Sequence, residues 1–137
     1  MVDPSMGAEQ PQESEPVQAN DVVLSGLVVT APDLRYTPAG TAIAQWELEH
    51  HSQVTDLPPL QGVALRIQLI AAGALAQECQ LLHIGDRIKV RGRLNQKRHQ
   101  RSEETRWGKL ELVVRQIKLE QAVERTLPAD KENGTET

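Results

Sequence analysis

The sequence predicts an all-β domain of five strands, with one short helix between the third and the fourth strand. Most apolar residues recur at every second position over short stretches, and this spacing places successive side chains on opposite faces of a strand. The window with the clearest helical composition, residues 72–83 (AGALAQECQLLH), lies between the third and fourth of these stretches. With no Phe, two Trp and one Tyr, the chain must build its core mostly from aliphatic side chains.

The first three strands are separated by two loops that contain proline. Residues 21–30 form the first strand around Gly26, and a glycine inside a strand often marks a bulge or a tight bend. Residues 31–40 hold two prolines and end in glycine, which predicts a loop. The second strand covers residues 41–51, and its inward face consists of Ala42, Ala44, Trp46 and Leu48. A loop over residues 52–60 precedes the third strand, whose inward face consists of Val63, Leu65, Ile67 and Leu69.

The last two strands flank a long polar segment. The fourth strand alternates between cations and the apolar residues Ile88, Val90 and Leu94. Residues 95–107 are polar throughout, which predicts a loop. Along the fifth strand the apolar parity changes from that of Leu110, Leu112 and Val114 to that of Ile117 and Leu119. This change predicts a β-bulge near residues 115–116.

The order of these elements is that of an OB-fold, a five-stranded Greek-key barrel. OB-folds bind oligonucleotides on the face of strands 2 and 3 and with the loops that join strands 1–2 and 4–5. The predicted 4–5 loop is also the most basic part of this chain. The element order and the position of the charge therefore favour the same kind of site.

Charge is concentrated between residues 87 and 118, where eleven Lys and Arg stand against three Glu, although the whole chain carries −4. Like charges at this spacing repel one another, which is tolerable where the partner is a polyanion. The alternative is a solvated strand face without a ligand. The candidate phosphate-binding residues are Arg66, on the outward face of the third strand, together with Arg93, Lys97, Arg98, Arg101, Arg106 and Lys109.

The two tryptophans have different predicted roles. Trp107 follows the basic segment and either stacks on a base, which contributes ~1–3 kcal/mol per base in known binders, or packs on the rim of the barrel. Both interpretations stay open. Trp46 alternates with Ala44 and Leu48, so it is predicted to lie in the core.

The ends of the chain differ from its middle. Residues 1–20 are rich in Pro, Gln, Glu and Ser and carry −4, and residues 122–137 are similarly polar. Such segments bury too little apolar surface to offset their ordering entropy, so both are predicted to be disordered tails. Residues 21–121 are the predicted folded domain. Its thin aliphatic core favours oligomerisation.

Several classes of protein and site are disfavoured. No apolar run approaches the ~20 residues of a membrane span, and no signal peptide is recognised, so we expect a cytoplasmic protein that does not bind membranes. A single cysteine, Cys79, fits a reducing compartment. Adjacent His50 and His51 point to opposite faces of a strand and cannot chelate one metal as a local pair. No nucleotide-binding loop or nucleophile motif is present, so we expect no catalytic residues, no metal and no cofactor.

The sequence resembles the primosomal replication protein N family, bacterial relatives of single-stranded-DNA-binding proteins. The resemblance covers about residues 20–121. The most specific pieces are Leu24-Ser25-Gly26, Pro38-Ala39-Gly40, Leu48-Glu49-His50, the glycine-bounded segment 85–92 (GDRIKVRG) and Gln116-Ile117. One departure stands out, because family members carry aromatic residues in the 2–3 loop and at the start of strand 3. Here residues 57–60 and 63–64 contain none.

This resemblance implies a homodimer of OB-folds that binds single-stranded DNA and stimulates the restart helicase at abandoned replication forks, together with other primosome proteins. It carries DNA binding over to Arg35 in the 1–2 loop, His51 after the Glu-His pair, Lys97, Arg98 and Arg101 in the 4–5 loop, and Lys109 at the start of strand 5. The missing aromatics shift the expected binding energy from base stacking towards charge.

Two other functions remain open. The first is a general single-strand binder or an RNA-binding OB-fold. The sequence does not separate RNA from DNA, because that discrimination depends on contacts to the 2′-hydroxyl. Alternatively, the basic loop would dock an acidic segment of a protein partner. An oligonucleotide gel shift and a helicase pull-down distinguish these classes.

Overall fold

The computed structural model of the protein describes residues 17–56, 58–59 and 61–124. Six strands and one helix follow one another along the chain. They are β1 (Val22–Val28), β2 (Asp33–Tyr36), β3 (Ala42–Gln53), β4 (Gly62–Ala72), α1 (Ala74–Cys79), β5 (Arg87–Arg101) and β6 (Glu104–Gln121).

Five of the strands form a closed barrel. The sheet runs in the order β1-β5-β6-β4-β3-β2, and a further pairing between β1 and β3 completes the ring. All neighbours are antiparallel except β4 and β6, where Gln68–Ile70 run parallel to Glu111–Val113. The ring closes where Leu27 and Val28 pair with Glu49 and Leu48. The predicted all-β OB-fold barrel with one helix between its third and fourth strands is therefore confirmed.

Alternating side chains fill the barrel. On β3 the inward residues Ala42, Ala44, Trp46 and Leu48 are each at most 3% exposed. Leu69, Ile88, Val90 and Leu112 from the other strands are fully buried. This confirms the core position of Trp46 and the predicted inward face of β3. On β4 the prediction holds for Ile67 and Leu69 but not for Leu65, which is 37% exposed. The core is aliphatic around that one indole.

The helix is shorter than the window from which it was predicted. β4 continues to Ala72, and the N–H of Gly73 donates to the carbonyl of Ala42 at 2.8 Å, so α1 begins only at Ala74. Gly73 has a φ of 71°, a left-handed conformation that favours glycine. α1 packs against β3 and β4 and buries Ala76 and Cys79. Burial, with a smaller effect of the Glu78 charge, raises the pKa of the Cys79 thiol to about 12.

Gly26 and Gly92 mark close approaches between strands rather than turns. A Cβ on Gly26 would collide with the backbone carbonyl of Glu49, and one on Gly92 with that of Val113. The ladder of β1 shows no register shift at Gly26, so of the two features predicted there, a bulge or a tight bend, the bulge is absent. Glycine is needed because β1 crosses close over β3.

Two predicted loops contain strands. The 1–2 connection holds β2, which pairs with β3 from Asp33↔Gln45 to Tyr36↔Ala42. The segment 95–107, predicted as a loop, is instead the distal part of the β5–β6 hairpin, with a turn of only two residues, Ser102 and Glu103. Backbone pairing continues along this segment although its side chains show no apolar alternation.

The bulge predicted near residues 115–116 is confirmed. Arg91 pairs with Gln116 and Gly92 with Val114, which leaves Arg115 without a partner residue on β5. This extra residue accounts for the change of apolar parity along β6.

Two side chains tie the ends of the domain to the barrel. Asn20 continues the β1–β5 register opposite Leu94, and its amide donates to the Leu94 carbonyl at 2.8 Å and accepts from the Leu94 N–H at 2.9 Å. Asp86 is fully buried, and its carboxylate accepts from the N–H groups of His83 and Val123. The predicted tails lie almost wholly outside the described residues, and the domain boundaries stay predictions. Among residues 17–124 that are described, no helix has the length and apolar character of a membrane span.

Candidate nucleic-acid interface

The distal part of the β5–β6 hairpin, residues 95–110, extends beyond the barrel, and we refer to it as the arm. Its strands pair from Asn95↔Glu111 to Arg101↔Glu104. Ser102 has a φ of 57°, and a positive φ at the first central residue is typical of a type II′ hairpin turn. Gln96 braces the arm, because its Nε2 donates to the carbonyl of Gly108 at 2.9 Å. The arm is thus a paired ribbon with one register shift, between Gln96 and Arg98.

Arg98 and Trp107 form a cation–aromatic pair on the arm. They face each other across the ladder, and the guanidinium carbon of Arg98 lies 5.9 Å from the centroid of the indole ring. This distance is within the range of a cation–π interaction. Trp107 remains 62% exposed. Its ring therefore does not pack on the barrel rim, and a free face is accessible to a base.

The cations of the arm are exposed and have no acidic partner among the described residues. No ion pair involving Lys97, Arg98, Arg101, Arg106 or Lys109 occurs among the described residues, where the pairs found are those of Arg35, His51, Arg66 and Arg91. Arg101 stands opposite Glu104 in the ladder without forming such a pair. Positive charge on the arm is therefore available to a ligand.

A groove runs between the base of the arm and the face of β3 and β4. Leu65 and Arg66 line it from β4, and Lys109 and Leu110 line it from β6. The two leucines are 37% and 48% exposed. Two cations at the edge of an exposed aliphatic surface can hold phosphates while bases contact the leucines. Arg66 and Lys109, distant in sequence, are brought together here.

Sequence reasoning did not identify Leu65 and Leu110 as site residues. Both continue the apolar parity of their strands past the point where the barrel core ends, and this parity predicts an inward position for Leu65. The available signal was the length of the strands, because apolar residues that extend beyond the ends of a barrel must face a groove or solvent.

Glu49 holds two of the predicted DNA-binding residues. Its Oε2 lies 2.7 Å from His51 Nε2, and its Oε1 accepts from Arg66 Nε at 2.7 Å. The hydrogen bond with His51 and, to a smaller extent, the one with Arg66 lower the pKa of the Glu49 carboxyl. The outward face of β3 and β4 thus carries Arg66 already paired with an acid, unlike the cations of the arm.

Arg35 is also paired. It lies on β2, and its Nε donates to Asp33 Oδ2 at 2.9 Å, with the Arg35 side chain 79% exposed. Surface pairs of this kind contribute little and exchange readily with other anions. In the sheet, β2 is the last strand and pairs with β3, and Asp33, the partner of Arg35, lines the same groove as Lys109.

Arg93 belongs to a separate group of cations at the root of the arm. It lines a depression with Arg91 and Arg115, together with the segment Val17–Asp21. Arg91 donates to both carboxylate oxygens of Asp21, from Nε at 2.9 Å and from Nη2 at 2.6 Å. This hydrogen bonding lowers the pKa of Asp21 and raises that of Arg91.

The two adjacent histidines point to opposite faces of β3. His50 Nδ1 lies 2.7 Å from the carbonyl of Ser25, so that nitrogen carries the proton, and its Nε2 lies 2.9 Å from Ser52 Oγ. His51 instead faces Glu49. Within the described parts of the chain, no group of three His, Cys, Asp or Glu side chains is arranged to hold a metal ion.

Comparison with known proteins identifies related chains. A family model described as "Another single-strand binding protein family" matches residues 20–105, so Arg106, Trp107 and Lys109 lie beyond the match. Replication restart protein PriB of Photorhabdus laumondii is 35% identical over 74 residues, which cover 53% of this chain and 70% of that protein. The PriB of Nitrosomonas europaea is 26% identical over 82 residues, or 60% of this chain and 76% of that protein.

A solved structure has the same fold. PriB of Ralstonia solanacearum superposes with a TM-score of 0.61 at 21% identity, covering 76% of this chain and all of that one. Because the family model spans more than half of the sequence and the Photorhabdus relative is matched over more than two thirds of its length, the chain belongs to the family of single-strand binding proteins that includes replication restart protein PriB.

Proposed function

We propose that the protein binds single-stranded DNA without marked sequence preference and serves as an accessory factor in replication restart. The observation that carries this proposal is the arm, whose five cations are exposed and unpaired among the described residues. Single-strand binders of this fold combine a positively charged path for the backbone with side chains on which bases stack. The relatives named replication restart protein support the biological setting.

The DNA backbone would follow the arm and turn into the groove between Arg66 and Lys109. Lys97, Arg98 and Arg101 contact phosphates on the arm, and each contact releases condensed counterions. Trp107 offers one stacking face, while Leu65 and Leu110 offer aliphatic contact in place of further aromatic rings. Affinity should therefore depend steeply on salt.

His51, Arg66 and Arg35 contribute less than the arm, because each must first exchange an acidic partner for a phosphate. Glu49 and Asp33 stay on the same face and repel the incoming backbone. These two acids limit affinity and favour rapid release. An accessory protein that passes single-stranded DNA to a helicase requires such release.

The proposal includes a homodimer and a helicase partner. Residues 22–26 of β1 pair only with β5, since β3 meets β1 at Leu27 and Val28, so one edge of this strand is free to pair with a second copy. The protein would act in the bacterial cytoplasm, at the nucleoid, by recruiting or stimulating the restart helicase with other primosome proteins. Its own role is binding rather than catalysis.

The test is fluorescence anisotropy with a labelled dT oligonucleotide over a series of salt concentrations. Lys97→Ala/Arg98→Ala removes two cations from the arm. Since each phosphate contact on a single strand contributes about 0.7 to the slope of log K against log salt, the variant should lower that slope by about 1.4. Arg125→Ala/Lys131→Ala, in the predicted C-terminal tail, removes the same charge and should leave the slope nearly unchanged.

Two results would contradict the proposal. Absence of binding by the wild type at low salt would remove DNA as the partner and favour protein docking by the arm. Equal losses in both variants would mean that overall charge, rather than the arm, determines affinity. A pull-down of the helicase with and without oligonucleotide then tests the role in restart separately.

A further inference from the structure

A second cluster of cations lies on the outward side of the barrel, on β5 and β6. We refer to it as the outer basic face, and it consists of Arg87, Lys89, Arg91, Arg93, Arg115 and Lys118. On β5 these cations alternate with Ile88 and Val90, which are fully buried. Because successive strand residues point to opposite faces, the four β5 cations must all face solvent.

The register between β5 and β6 places positive charges next to one another, although folding does not require this arrangement. Lys89 stands directly opposite Lys118. Like charges that face each other across a ladder destabilise the pairing of two strands. The bulge adds to this concentration, since it places Arg115 beside Arg91 and Arg93 around one depression. Bulges commonly redirect a side chain towards a site.

Few acids neutralise this face. Asp21 pairs with Arg91 through two hydrogen bonds, and Glu120 lies two residues from Lys118 on β6. Among the described residues, the other five cations form no ion pair. Six cations against two acids leave a local charge of +4 in a protein that carries −4 overall.

The face is continuous with the arm and also carries exposed apolar side chains. Arg93 and Lys97 lie on the same strand, and the path along β5 from Lys89 to Arg101 measures about 40 Å at ~3.3 Å per residue. Val23 stands opposite Arg91 and Val113 opposite Arg93, and they are 52% and 38% exposed. Cations interleaved with exposed aliphatic groups suit a chain of alternating phosphates and bases.

We propose that the outer basic face is a second phosphate-binding surface, occupied by the part of a single strand that extends past the arm and the groove. This inference rests on the proposed function, because the same strand must first bind the arm. Short strands fill the arm and the groove alone. Longer strands continue along β5 onto the outer face, so the protein occludes more nucleotides than the groove itself can hold.

The test compares two lengths of dT oligonucleotide, about 8 and about 30 nucleotides, chosen because one OB-fold binds roughly 4–16 nucleotides. Lys89→Gln/Lys118→Gln removes the opposed pair of cations, so folding should be unharmed and the melting temperature unchanged or higher. Lys97→Gln/Arg98→Gln is the matched variant on the arm. Affinity, salt slope and the number of nucleotides occluded are measured for each protein.

We expect Lys89→Gln/Lys118→Gln to bind the short strand like the wild type and the long strand roughly three- to tenfold more weakly at low salt. Its salt slope for the long strand alone should fall by about 1.4. The occluded length should shorten as well. The arm variant should instead weaken the binding of both strands.

Unchanged affinity and occluded length on the long strand would overturn the inference while leaving the proposed function intact. An equal loss on both strands would also overturn it, because the face would then not be separate from the arm. If the wild type binds neither strand but binds poly-glutamate, the proposed function and the inference both fail, and the outer face is a docking surface for an acidic protein.

Discussion

Two glycines of this barrel are needed because a glycine has no side chain. Gly26 and Gly92 lie where one strand passes so close to another that a methyl group would meet a backbone carbonyl. The sequence showed that a glycine inside a strand is unusual, but not that the cause is contact with a strand distant in sequence. For Gly26 that cause depends on the pairing of β1 with β3, which no local pattern specifies, whereas Gly92 meets Val113 of the neighbouring strand β6 at the register shift beside Arg91.

Substitution of these glycines tests the packing of the barrel. Gly26→Ala should lower the free energy of unfolding by about 1–3 kcal/mol, the usual cost of overpacking. Gly62→Ala is the matched control, since a Cβ there would lie 3.6 Å from the nearest atom, the carbonyl oxygen of Ser52. It should change stability by less than about 0.5 kcal/mol. Urea unfolding measures both, and equal effects of the two substitutions would contradict the close-approach explanation.

Among the elements, the strands with one buried face were predictable and the arm was not. Alternation identified β1, β3, β4 and the barrel portions of β5 and β6, and the parity change correctly placed the bulge at Arg115. The arm is polar on both sides, so its sequence carries no alternation, and only backbone pairing and the Gln96–Gly108 bond show that it is a ribbon. β2 is four residues long and flanked by prolines, too short for a pattern.

The same limit applied to the site. The candidate cations of the arm could be named from the sequence, because Lys and Arg greatly outnumber Asp and Glu in that segment. The pairing of Arg66 with Glu49 was not predictable, since it depends on the β3–β4 register, in which Glu49 faces Arg66. His51 lies two residues from Glu49 on the same strand, so strand alternation places both on one face. Sequence reasoning therefore treated as equal two groups of cations that the structure separates into paired and unpaired.

The Glu49 cluster on the β3–β4 ladder leads to a prediction on affinity. Glu49→Gln removes a negative charge and releases Arg66 and His51, so the variant should bind oligonucleotide several-fold more tightly at low salt. Glu78→Gln on α1 removes the same charge away from this face and should have little effect. Anisotropy titrations at low salt compare the two, and a weaker or unchanged Glu49→Gln complex would show that Glu49 positions the cations rather than competing for them.

The pH dependence of this cluster follows from the lowered pKa of Glu49. A carboxyl whose pKa falls on folding stabilises the folded state above its unfolded pKa, and that contribution is lost as the pH drops through the folded pKa. Glu49 should therefore stay ionised and paired throughout the neutral range. The difference in affinity between the wild type and Glu49→Gln should persist from pH 8 to pH 6 and decrease only under more acidic conditions.

On the scale of the whole molecule, charge is distributed unevenly between the two halves of the barrel. Within the described part of the chain, the cations without an acidic partner lie on β5 and β6, where Arg91 is paired with Asp21, while Arg35 on β2 and Arg66 on β4 are paired with Asp33 and Glu49. In the proposed complex, single-stranded DNA would bind more strongly to the β5–β6 side of the barrel than to the side formed by β2, β3 and β4.

The free edge of β1 predicts the mode of dimerisation. Sedimentation equilibrium of the wild type should give twice the chain mass of 15.2 kDa. Val23→Lys places a charge on this edge strand, a change that opposes edge-to-edge pairing, and should shift the protein towards the monomer. Leu81→Lys alters a side chain that is 71% exposed and lies near the end of α1, so it serves as the control. A wild-type monomer, or a dimer insensitive to Val23→Lys, would exclude this edge.

The side chain of Asn20 has a consequence for solubility. At Leu94 the ladder of β5 continues past the end of β1, and the Asn20 amide satisfies both the N–H and the carbonyl of that residue. Unpaired backbone groups at a sheet edge recruit strands from other molecules and begin aggregation. One amide thus blocks β5 just beyond β1 against the addition of a strand from another molecule.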